Sequence, residues 1–206
     1  MILCCCGFLQ AAVSHGETAI CDFEYANDQE LRAAWSPTLA TLRASSQIRP
    51  GSQGTKCLLA ERVFSTNVNE IEVLSGPLLA VPVSLGTNEV IEFYLLSDLG
   101  AYRSKGNLTI FAQDTAGNVC SWEKDLWSAP NWLLVQLPCG SALSVGERPN
   151  LQQLARFSFR ISFKTRTDPG EFIGQFGFDD MRITAGAKRP APPGGLVVNP
   201  VVSGTR

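Results

Sequence analysis

Ala155-Arg156-Phe157-Ser158-Phe159-Arg160-Ile161-Ser162-Phe163-Lys164 is the stretch whose reading decides the fold. Phe157, Phe159, Ile161 and Phe163 alternate with Ser158, Arg160, Ser162 and Lys164. Successive side chains of a strand point to opposite faces, so this run predicts a strand with one face buried and one wet. Working outward, similar runs occur at residues 20–25, 57–64, 70–74, 78–84, 89–97, 107–114, 119–124, 132–137 and 176–184. Turn chemistry separates them: Arg49-Pro50-Gly51, Ser75-Gly76-Pro77, Leu85-Gly86-Thr87-Asn88, Ala116-Gly117-Asn118 and Asp168-Pro169-Gly170. Helix signals are few. Asn27 can cap a short helix over residues 28–35, with Glu30 at the capping-box position and Leu31 and Trp35 on its inner face. A single turn at residues 150–154 is the other. The pattern predicts an all-β chain, an antiparallel two-sheet β-sandwich of the jelly-roll kind with one or two short helices.

Residues 1–16 read as a secretory signal. Ile2 to Val13 is apolar, too short to span a bilayer, and is followed by the small residues Ser14 and Gly16; the basic residue that usually follows Met1 is missing. This implies export, with a folded domain over residues 17–185. From residue 186 the Pro/Gly-rich run Lys188-Arg189-Pro190-Ala191-Pro192-Pro193-Gly194-Gly195 reads as a flexible tail to residue 206. The one histidine, His15, lies in the signal segment. Without it, Ser-His-Asp and Cys-His nucleophilic mechanisms and His-ligated zinc lose their key side chain. A net charge of −2 gives no electrostatic case for nucleic acid or an anionic membrane. Nor does any apolar span predict membrane insertion.

Of the seven cysteines, Cys21, Cys57, Cys120 and Cys139 lie outside the signal segment. An even number in an exported chain predicts two disulfides, with Cys120–Cys139 and Cys21–Cys57 the favoured pairing of three. Free buried thiols are the competing reading. Asn107-Leu108-Thr109 is a glycosylation sequon.

Two acidic runs bracket the patterned region: Cys21-Asp22-Phe23-Glu24-Tyr25 and Phe176-Gly177-Phe178-Asp179-Asp180-Met181-Arg182-Ile183. A carboxylate inside an aromatic, strand-like run needs a cation, a basic partner or water. If the two runs pair as neighbouring strands, Glu24, Asp179 and Asp180 converge on one hard cation such as Ca2+, in a structural role. Salt bridges to Arg62, Arg182 or another basic residue are the alternative.

The order Cys21-Asp22-Phe23-Glu24, Trp35, Glu92-Phe93-Tyr94, Asn131-Trp132, then a Phe-rich strand closing on Gly177-Phe178-Asp179-Asp180-Met181, resembles MAM domains. It is also similar to the wider class of galactose-binding-like jelly-roll modules, carbohydrate-binding modules among them. The resemblance runs from about Ile20 to Thr184 and implies non-catalytic extracellular recognition or adhesion, with a glycan or an extracellular protein as partner. It also implies a structural Ca2+ where first and last strands meet, held by Glu24 and by Asp179 or Asp180, with carbonyls around Gly54 to Lys56 as further ligands. One departure is plain: MAM domains carry a second cysteine soon after the first, and here the next is Cys57.

Trp127 is the candidate sugar platform, on the segment between Lys124 and Pro130, while Trp122 and Trp132 are expected in the core. Tyr102 and Arg103, between Gly100 and Gly106, form a second candidate ligand loop; an ordinary turn explains them equally well. No catalytic residue is assigned. The enzymatic alternative is a glycosidase with paired carboxylates drawn from Glu92, Glu123, Asp125 and Glu171, whose spacing selects no pair.

Overall fold

The computed structural model describes residues 17–65, 70–100, 102, 105–163 and 171–185. The expected signal segment, the tail and Arg103 lie outside them. Twelve strands and one helix follow in order: β1 (Thr18–Cys21), α1 (Asp28–Ala34), β2 (Ser36–Pro37), β3 (Thr41–Ser45), β4 (Cys57–Phe64), β5 (Glu70–Val83), β6 (Glu89–Asp98), β7 (Gly106–Asp114), β8 (Val119–Leu126), β9 (Ala129–Pro138), β10 (Leu143–Val145), β11 (Leu154–Phe163) and β12 (Phe172–Ala185). They form two antiparallel six-stranded sheets. The first runs β3-β4-β12-β6-β9 with β1 also paired to β12; the second runs β10-β8-β7-β11-β5-β2. The chain crosses repeatedly between the sheets. The described residues are the expected antiparallel sandwich.

The period-two strand is β11, which lies between β5 and β7 in the second sheet. Its inward residues Phe157, Phe159, Ile161 and Phe163 are buried. Phe159 stacks on Phe178 of the opposite sheet at 4.1 Å and lies 5.6 Å from Trp35. Burying one such ring stabilises the fold by about 1.5–3 kcal/mol. The core is therefore an aromatic seam joining the two central strands, β11 and β12.

The helix starts as expected. Asn27 accepts a hydrogen bond from the Glu30 amide at 3.0 Å, and Glu30 accepts one from the Ala26 amide. Leu31 and Trp35 are buried. Ser75-Gly76-Pro77, expected as a turn, is instead the middle of β5, where the pairing with β11 shifts register. Gly76 permits it: a Cβ there would strike the Phe157 carbonyl oxygen. The strands at residues 36–37, 41–45 and 143–145 were not anticipated, because they are short and sit at sheet edges.

The four cysteine positions also differ from expectation. Cys57, Cys120 and Cys139 are free thiols, so neither Cys21–Cys57 nor Cys120–Cys139 is closed in the structure. Burial pushes the Cys57 thiol up to about 12, with the neighbouring Asp179 charge adding to it. Burial likewise raises Cys120 to about 11, reinforced by Cys139.

Candidate functional site

Two places were assembled from residues far apart in sequence: an acidic corner at the terminal strands and a groove on the outer face of the second sheet.

At the corner, β1 and β12 pair antiparallel, with Cys21 opposite Met181, which is the neighbour relation the acidic runs imply. Two residues here adopt left-handed backbone, Phe23 at φ 58° and Asp180 at φ 53°. Such conformations strain non-glycine residues by about 1–3 kcal/mol each and persist only where their surroundings enforce them. At Asp180 the conformation accompanies a register shift in the β12–β6 pairing between Asp179 and Arg182. Glu24 accepts hydrogen bonds from the Thr55 amide at 2.8 Å, the Thr55 hydroxyl at 3.0 Å and the Lys56 amide at 3.0 Å. The loop thus turns N–H groups, not the expected carbonyls, toward Glu24. Gly54 lies so close that a Cβ there would overlap the Glu24 carboxylate.

Arg49 is the cation facing these acids, a residue the sequence did not single out. Its guanidinium donates to Asp180 Oδ2 at 2.8 Å, lies 3.9 Å from Asp179 Oδ2 and sits 3.9 Å above the Tyr94 ring. Arg182 adds a contact to Asp180 at 3.5 Å. Arg62, the other expected partner, faces elsewhere and pairs with Glu72 at 3.0 Å and Glu70 at 3.4 Å. Asp179 is 1% exposed, and its Oδ2 has no hydrogen bond. Burial raises its pKa; the Ser52 hydrogen bond opposes this, Asp180 and Glu24 reinforce it, and Arg49 also lowers it. Among the described residues no three His, Cys, Asp or Glu side chains converge as a metal cage. The orphaned Asp179 oxygen, beside Glu24, is the one feature here that suits a hard cation.

The expected ligand residues scatter. Tyr102 is 4% exposed and stacks on Phe172 at 4.3 Å, so its ring offers no open face. Phe163 meets the same ring edge-on at 5.3 Å. Trp127 is 54% exposed, between β8 and β9. Trp122 is buried and donates from its indole N–H to the Pro138 carbonyl at 3.0 Å. Trp132 is a correction: it is not in the core. It lies on the outer face of the first sheet, its ring edge 2.7 Å from where a Gly177 Cβ would be. Asn107 of the sequon sits on β7, opposite Ser162 of β11.

The groove occupies the outer face of the second sheet, with a volume of ≈ 470 Å³. It is lined by Val73 and Ser75 of β5, Arg156 and Ser158 of β11, Phe111 and Gln113 of β7, and the turn Gly117-Asn118-Val119. The outward residues of the fold-deciding strand therefore make its floor. Register aligns them in rows: Ser75, Ser158, Phe111 and Ser121 lie side by side, and Arg156 lies beside Gln113 and Val119. Asp114 shapes the groove's end. It accepts from the amides of Ala116, Asn118 and Asn150 at 2.8–2.9 Å, and from the Asn118 side chain. These bonds, that from Asn150 foremost, hold its pKa below the ordinary carboxylate range. An aromatic ring beside hydroxyls, an amide and a guanidinium provides both stacking and directional hydrogen bonding. None of the carboxylates considered for catalysis lines this groove.

By sequence the chain matches no protein-family model and no curated protein. Its fold is similar to solved structures of low identity. An exo-β-agarase matches at TM-score 0.56 and 13% identity over 84% of this chain, and the agarase AgWH50C at 0.52 and 12% over 84%. In both, the chain spans only 25% of the other protein. It spans 26% of an α-L-arabinofuranosidase. A family 11 carbohydrate-binding module from Clostridium thermocellum, in complex with a mixed-linked tetrasaccharide, matches at TM-score 0.48 and 14% identity, over 84% of this chain and 98% of that one.

Proposed function

We propose that this chain is a non-catalytic glycan-recognition module, and that the groove on the second sheet is its binding site. The observation that carries this is the groove's floor, where the Phe111 ring lies in one row with Ser75 and Ser158 and next to the Arg156–Gln113 row. Sugars present an apolar C–H face and a rim of hydroxyls. A ring for the first and planar, bidentate groups for the second is the complementary set.

Affinity electrophoresis and calorimetry on soluble polysaccharides test it. Phe111→Ala is expected to weaken binding about tenfold, equivalent to about 1.4 kcal/mol, without unfolding the sandwich. Binding indifferent to Phe111→Ala and Gln113→Ala, but lost in Trp127→Ala or Trp132→Ala, would move the site elsewhere. Turnover of polysaccharide abolished by a Glu→Gln change would replace the reading with the glycosidase one.

A structural Ca2+ is part of the proposal. Asp179 and Glu24 would hold it, and its role would be to neutralise the buried charge where first and last strands meet. Export from the cell belongs to the same reading.

A further inference from the structure

Arg32, Arg43, Arg49, Arg62 and Arg182 each have a carboxylate partner. Arg156 and Arg160 have neither an ion pair nor a side-chain hydrogen bond among the described residues, and the Nε of each is shielded from solvent without a partner. Four residues apart on β11, they point to the same outer face, roughly 13 Å from one another at a strand's rise. Beside Arg160 lie two further donors without a partner. Ser162 Oγ and Thr109 Oγ1 are buried, at 1% and 2% residue exposure, and neither has a partner. Thr109 lies directly opposite Arg160, and Ser162 is two residues further along β11.

Such a row is costly as it stands. A shielded polar group without a partner loses hydration and gains nothing, and the penalty is greatest for charged groups. The acids facing it do not balance it. Asp125 is engaged by Lys105 at 2.8 Å, Glu123 opposite Thr109 makes no ion pair, and the groove lining itself contains Arg156 and no carboxylate. The net charge of −2 rules out a general attraction for polyanions, so any preference for an anion is local to this row.

Building on the glycan reading, we infer that the ligand is an acidic polysaccharide whose carboxylate or sulfate groups are received by Arg156 and Arg160. A guanidinium presents two parallel N–H donors that match either anion, which a lysine cannot reproduce. Two forks separated along the strand select a chain bearing repeated acidic groups, not a single charged sugar.

The test is calorimetric titration of the intact chain with three polymers: polygalacturonate, a sulfated galactan and a neutral mixed-linked β-glucan. Both acidic polymers, or one of them, are expected to bind at least tenfold more tightly than the neutral one, and to weaken as salt rises from roughly 0.05 to 0.5 M. Which acidic polymer binds identifies carboxylate or sulfate as the group received. Arg156→Gln and Arg160→Gln should each lower acidic-polymer affinity at least tenfold, and Arg160→Gln, outside the groove lining, should leave any neutral binding unchanged; Arg156→Lys should keep the salt dependence but lose most of the affinity. Thermal melts establish that the variants fold. Preference for the neutral polymer, or acidic binding untouched by both glutamine variants, overturns the inference and leaves the glycan reading standing. No binding to any of the three overturns both.

Discussion

Asp179 shows how a single buried side chain sets a measurable property. Its carboxyl is nearly inaccessible, and its pKa is raised from 3.8 mainly by burial. A carboxyl that holds its proton better in the folded chain than in the unfolded one contributes stability in acid, and that contribution is lost as pH rises from 3.8 through the raised value. This runs opposite to the usual carboxylate. Without Ca2+, Asp179→Asn should therefore be relatively more stable near neutrality and flatten the pH profile of the melting temperature above the ordinary carboxylate range. Parallel profiles for wild type and variant would show that Arg49 fully compensates the charge. The existence of an acidic corner was legible from Asp22-Phe23-Glu24 and Asp179-Asp180. Arg49 was not, because its place beside Asp180, far away in sequence, depends on a loop whose path no local pattern encodes.

At the scale of elements, the hairpin joining β7 to β8 carries the groove's end. Asp114 holds it by accepting hydrogen bonds from three backbone amides, including that of Asn150 in a different loop. Its pKa is depressed, so the stability it contributes is present above the unfolded value and lost as pH falls through the folded one. Asp114→Ala should lower the melting temperature at neutral pH, lose less stability than wild type on acidification, and weaken glycan binding through the displaced Gly117 and Asn118. A variant that melts lower yet binds unchanged would show that this turn does not shape the site. The strand β11 was readable from alternation alone. Its outward residues were read only as a wet face; that Arg156 and Ser158 line a groove depends on which strands flank them.

On the scale of the whole molecule, the two sheets are locked by the Phe159–Phe178 stack and closed at one corner by the terminal strands. A corner with a strained Phe23, a strained Asp180 and a buried carboxylate oxygen that accepts no hydrogen bond is where bound Ca2+ would add stability by mass action. Chelation is expected to lower the melting temperature and added Ca2+ to restore it, with Asp179→Asn removing the difference. A melt indifferent to both EDTA and Ca2+ would leave Arg49 and Arg182 as the cations balancing the corner.

Alternation and turn residues by themselves determined that the chain is an antiparallel sandwich, because period-two burial is a local property of each strand. They also placed the helix cap, through Asn27 and Glu30. Only the tertiary structure decided that Tyr102 is core, that Trp132 lies outside it, and that Arg156, Phe111 and Gln113 share one groove. Those relations arise from the register between strands distant in sequence, and from which way each sheet turns its faces.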